Sequence, residues 1–251
     1  MMSLKPKELV KPKSLAFSLF FLVSLLLSSC GAPRATHPQS ITREHHVFEY
    51  PKETRRGPQW KKLGPLIVVD AGHGGKDQGT HSDQPPRYQE KALTLMTSFL
   101  VEEYLRDMGY RTVMIRTDDH FVPLKKRASI ANDLKAAAFV SVHYNSASNV
   151  DAKGIEVFYY KSDKNKSRTR QSQDLAKDIL DEVIYATKAK SRGVKNGNFA
   201  VIRETDMPAV IIEGGFLTNA EERAKVLSAG YRRELAWGIA LGVDEFMKKK
   251  R

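Results

Sequence analysis

From Gly64 onward the chain alternates short apolar runs with stretches of helical period, and this alternation constrains its fold more than any other feature. The apolar runs are PLIVVD (65–70), YRTVMIR (110–116), AAFVSVHYN (137–145), GIEVFYY (154–160), FAVIR (199–203) and PAVIIE (208–213). Their length and β-branched content suit buried strands. Between the first two, Leu93, Met96, Leu100 and Tyr104 recur at three- and four-residue steps, which predicts a helix from Glu90 to near Gly109. Residues 123–136 predict a second helix with proline at its start, and residues from Arg168 to Thr187 a long third one. Helical sequence runs from about Ala220 to the end. Strands alternating with helices predict an α/β fold: a mainly parallel twisted sheet of about six strands with helices on both faces.

The first 63 residues read differently. Lys5, Lys7, Lys11 and Lys13 precede an uncharged run, SLAFSLFFLVSLLLSS (14–29), which fits the apolar region of a secretory signal. It ends at Cys30, the only cysteine, so no intrachain disulfide is expected. The LSSC end resembles the lipobox of bacterial lipoproteins, which implies a signal peptide over 1–29 and a lipid on Cys30. Residues 30–63 then read as a flexible tether, and 64–251 as the folded domain. The net charge of +12 suits acidic partners, but an extracytoplasmic location argues against nucleic acid.

In an open parallel sheet, ligands bind at the edge shared by strand C-termini and the N-termini of the following helices. Four ionisable residues are predicted there: His73 after the first strand, Glu90 opening a helix, His143 near the end of the third strand, and Glu213 closing the last. Two imidazoles and one carboxylate make a three-ligand zinc site with a fourth position open. A second carboxylate beside them manages the proton of an attacking water. The glycine-rich turn VVDAGHGGKDQGT (68–80) matches neither a Walker loop nor a dinucleotide turn, since the third glycine of the latter falls on Asp77. Its glycines instead leave room for close approach around His73.

Four ordered segments, VVDAGHGGKDQG (68–79), QEK (89–91), SVHYN (141–145) and MPAVIIEGGFLTN (207–219), resemble the zinc-dependent N-acetylmuramoyl-L-alanine amidases of the type 3 family. The likeness runs from about Leu66 to Val243. It implies one Zn2+ held by His73, Glu90 and His143, with Glu213 as the catalytic carboxylate. It also implies peptidoglycan as substrate, cut between N-acetylmuramic acid and L-alanine of the stem peptide. Alternatives are a zinc peptidase that trims stem peptides and a non-catalytic wall-binding scaffold. Asn145 and Arg203 are candidate substrate contacts, and Asp70 a candidate for orienting a ligand imidazole. Some family members carry an inserted autoinhibitory helix before the segment matching RGVKNGN. Here KSDKNKSRTRQSQ (161–173) is short and polar, so no such helix is expected.

Overall fold

The computed structural model describes residues 64–82 and 85–250. The expected signal, lipidated Cys30 and tether lie outside the described residues.

Six strands form one twisted sheet: β1 (Leu66–Ala71), β4 (Arg111–Met114), β5 (Ala138–Asn145), β6 (Ile155–Tyr159), β7 (Ser191–Asn196) and β8 (Ala209–Phe216), in the order β4-β1-β5-β8-β6-β7. A small antiparallel pair, β2 (His81–Ser82) and β3 (Tyr88–Gln89), stands apart from it. β4, β1, β5 and β8 run parallel, whereas β6 pairs antiparallel with β8 and parallel with β7.

Successive strand residues face opposite sides. Ile67, Val69, Val140, Val142, Val210 and Ile212 face one core, covered by α1 (Glu90–Asp107), α3 (Lys166–Thr187) and α6 (Ala229–Lys248). A Cβ on Gly242 of α6 would lie 2.3 Å from the Cα of Ile179 on α3, so glycine is what allows these two helices to cross so closely. Val68, Phe139 and Ile211 face the other core with Ala131 of α2 (Leu124–Asp133) and Val201 of α4 (Ala200–Arg203). Each fully buried Val or Ile contributes about 1.5–3 kcal/mol. The C-terminal helical region breaks at Ser228, which follows α5 (Ala220–Leu227) and caps α6 by accepting from the Tyr231 N–H.

One predicted strand is corrected. FAVIR (199–203) forms the short helix α4, its Val201 and Ile202 buried in the second core. Four apolar residues carry no decisive period, and packing against α2 settles them. The sixth place in the sheet goes instead to Ser191–Asn196, a polar edge strand that pairs on one side only.

Candidate metal centre and active site

His73 follows β1 in a loop held by two buried arginines. The Arg127 guanidinium donates to the carbonyls of Ala71 and His73 and to Asp70 Oδ1 at 2.7 Å. Arg116 donates to the carbonyls of Ala71, Gly72 and Lys91. This clamp holds His73 in the left-handed region, at φ 61°, a conformation non-glycine residues rarely adopt.

Glu90 is the first residue of α1 and is buried. Its Oε2 accepts from the Thr80 N–H at 2.9 Å and its Oε1 from the Tyr144 N–H at 3.1 Å. The same Oε1 lies 3.0 Å from His73 Nε2 and 3.1 Å from His143 Nδ1. One ligand atom from each of His73, Glu90 and His143 falls within 4.8 Å of the others. The two rings meet edge to face at 4.8 Å. A Cβ on Gly72 would stand 2.2 Å from His143 Cε1, so a side chain there has no room.

The donor set itself calls for a cation. His73 Nδ1 is 2.9 Å from Asp77 Oδ1, and because a carboxylate only accepts, Nδ1 carries the hydrogen. In the neutral ring, Nε2 then faces Glu90 Oε1 lone pair to lone pair, a repulsive contact unless a proton or metal ion lies between. Burial pushes Glu90 up, but hydrogen bonds to His143 and His73 outweigh it and hold the carboxyl far below the usual carboxylate range. Burial pushes His143 down, but Glu90 outweighs it and raises the imidazole above its ordinary value. Both shifts describe a pocket that favours positive charge between these groups.

Glu213 stands beside this cluster, as the register partner of His143 on the neighbouring parallel strand. Its Oε2 is buried and has no hydrogen-bond partner among the described residues. Burial pushes its carboxyl up to about 7, against the pull of the His143 charge. All four residues border a cavity of about 460 Å³, walled on its apolar side by Leu124, Phe199 and Val201.

Not every expected contact forms. Asp70 bonds Arg127 and Ser141 rather than an imidazole, its Oδ1 taken by the guanidinium and its Oδ2 by the hydroxyl. The carboxylate against His73 is Asp77, four residues further along the same loop, brought back by the antiparallel bridge between Gly74 and Asp77. Arg203, carried away from the cavity by the turn of α4, is engaged by Glu204 and Asn198. Asn145 does border the cavity, and its amide donates to Glu156 at 2.6 Å. Arg116 and Arg127 carry no signal in the sequence, since arginines in a helix and at a strand end read as solvated surface, yet both are buried.

Residues 67–245 match the N-acetylmuramoyl-L-alanine amidase family. The chain belongs to that family. An N-acetylmuramoyl-L-alanine amidase from Clostridium difficile superposes with a TM-score of 0.69 at 36% identity, over 75% of this chain and 99% of that one. The Bacillus subtilis protein YqiI, uncharacterised, is 36% identical over 183 residues, 73% of this chain and 85% of its own. The probable cell wall amidase LytH of Staphylococcus epidermidis is 31% identical over 183 residues, 73% of this chain but only 58% of that protein. The amidase thus has the fold of its solved relatives, and its four predicted site residues converge where strand ends and the start of α1 meet.

Proposed function

We propose that the amidase hydrolyses the amide between the lactyl group of N-acetylmuramic acid and L-alanine of the peptidoglycan stem, using one zinc ion held by His73, Glu90 and His143. The observation that carries this reading is the buried, unpartnered Glu213 Oε2 in register beside three converging metal-type donors. Zinc bound there supplies a Lewis acid for the scissile carbonyl and makes water acidic enough to lose a proton near neutral pH.

The chain's own groups do the rest. Burial raises the Glu213 carboxyl in the metal-free chain, an environment that suits a group which takes a proton and returns it. The Glu213 carboxylate is the base that receives the proton of the attacking water. The same carboxyl delivers it to the departing alanine nitrogen. Asp77 fixes the His73 tautomer, so that Nε2 presents its lone pair. Leu124 and Phe199 give the cavity an apolar rim.

Two further features support an enzyme that acts outside the cytoplasm without an activator. The LSSC segment supports lipidation at Cys30 and attachment to a bacterial membrane on its extracytoplasmic side, and no helix among the described residues is long and apolar enough to cross a membrane. Between β6 and β7 the chain holds α3 alone, reached through residues 160–165, which supports an open groove with no plugging helix. Digestion of purified sacculi tests the whole reading. Free stem peptides with N-terminal L-alanine are expected, without an added partner protein. Release of D-alanine instead would establish the peptidase alternative.

A further inference from the structure

The row of register partners that carries the site does not end at Glu213. His143 pairs with Glu213, and Glu213 with Glu156 on β6. Glu156 therefore faces the same side of the sheet. Its carboxylate is buried, with 5% of the side chain exposed. One oxygen accepts from Asn145 at the cavity wall. The other accepts from Arg192 at 2.8 Å and from Lys195, both on β7. Burial pushes Glu156 up, but Lys195 and Arg192 outweigh it, so the acid stays ionised.

A single cation would neutralise Glu156. Two leave one positive charge over, and both cations stay partly open to solvent, at 31% for Arg192 and 38% for Lys195. Arg192 is further fixed by the Phe216 ring, 4.8 Å from its guanidinium carbon. A buried acid of this kind is costly as a stabilising device. It makes physical sense as an anchor that holds two cations in fixed positions on β7, next to the cavity-lining Asn145 that shares the acid.

We propose that Arg192 and Lys195 form a carboxylate subsite for the stem peptide, selecting a free α-carboxylate on the residue that follows L-alanine. The inference rests on the amidase reading and names its specificity. Neighbouring strands are about 4.8 Å apart, which puts β7 about 10 Å from β8. An extended peptide advances about 3.5 Å per residue, so a group on the second residue lies about 7 Å from the scissile bond, within reach of side chains on β7. Where that residue is glutamate joined through its γ-carboxyl, its α-carboxylate is the anion presented. Where the carboxylate is amidated, the surplus charge has no partner.

The test uses the full chain loaded with zinc and two synthetic muramyl dipeptides, identical except for an α-carboxylate or an α-carboxamide on the second residue. Wild type is expected to cleave the carboxylate with kcat/KM about tenfold higher, the scale of one charge-assisted hydrogen bond. Lys195→Met, which leaves Glu156 bonded to Arg192 and Asn145, is expected to close most of that gap, and Arg192→Gln to do the same. Equal cleavage of the two dipeptides by an enzyme that digests sacculi, or a preference that survives both substitutions, overturns the subsite and leaves the amidase reading intact. Sacculi that yield no free stem peptides overturn the amidase reading itself.

Discussion

Asp77 Oδ1 stands 2.9 Å from His73 Nδ1, on the side of the ring away from Glu90. The carboxylate fixes the tautomer and makes Nε2 a better electron-pair donor. Asp77→Asn keeps Oδ1 as acceptor for both the Gly79 N–H and His73 Nδ1 but removes the negative charge that strengthens Nε2 as a donor. Zinc affinity is expected to fall about 10–100-fold, read by competition with a chromogenic chelator. Unchanged affinity would show that the charge of Asp77 adds nothing to the donor strength of His73.

Glu213→Gln separates binding from turnover. The substituted amide retains the shape of the side chain but cannot take a proton. Turnover on sacculi is expected to drop by about 10²–10⁴, the usual worth of a positioned general base. Zinc content is expected to stay at the wild-type level, because the three donors are untouched. A loss of zinc together with turnover would place Glu213 among the ligands.

The sequence made the strands with apolar runs legible because burial on both faces writes itself as an unbroken Val/Ile stretch. β7 carries no such run, since an edge strand has one ladder partner and one wet side, and SRGVKN reads as a loop. FAVIR failed for the opposite reason: its apolar residues are buried, but by α2 across a single helical turn. At the site, His73, Glu90, His143 and Glu213 were legible because strand ends and helix starts share an edge. The arginine clamp was not, because a buried Arg127 between Asp70 and backbone carbonyls depends on packing across 57 residues of sequence.

That clamp gives a stability prediction. Arg127 and Asp70 are both essentially buried, at 2% and 1% side-chain exposure. Arg127→Met removes one charge and strands the other, with Ser141 as its remaining partner. Breaking a buried pair in this way costs about 3–5 kcal/mol. Chemical denaturation is expected to show a loss of this size, and Asp70→Asn added to Arg127→Met is expected to recover part of it. A loss below about 1 kcal/mol would put the pair in the class of solvent-screened bridges.

Metal removal should reveal a pH dependence with a definite sign. In the metal-free chain Glu213 is raised from its ordinary 4.5 to about 7, and His143 is raised as well. A group raised in the fold contributes stability that is complete below its unfolded pKa and is lost as pH rises through its folded one. Glu213 thus withdraws support between pH 4.5 and about 7, worth on the order of 3 kcal/mol for a shift of this size. His143 withdraws its share above 6.5. The lowered acids Glu90, Asp77, Asp119 and Glu156 act in the opposite sense, but only on acidification below about 4.5, through their folded values. After chelation, the melting temperature is therefore expected to fall from pH 5 to pH 8, by about 2–4 °C per kcal/mol for a domain of this size. Zinc should oppose the trend, because its ligands shed protons on binding and affinity rises with pH. The gap between the loaded and chelated melting curves is expected to widen with pH, and Glu213→Gln to flatten the chelated curve. A chelated protein that grows more stable over this range would show that Glu213 is ionised in the fold.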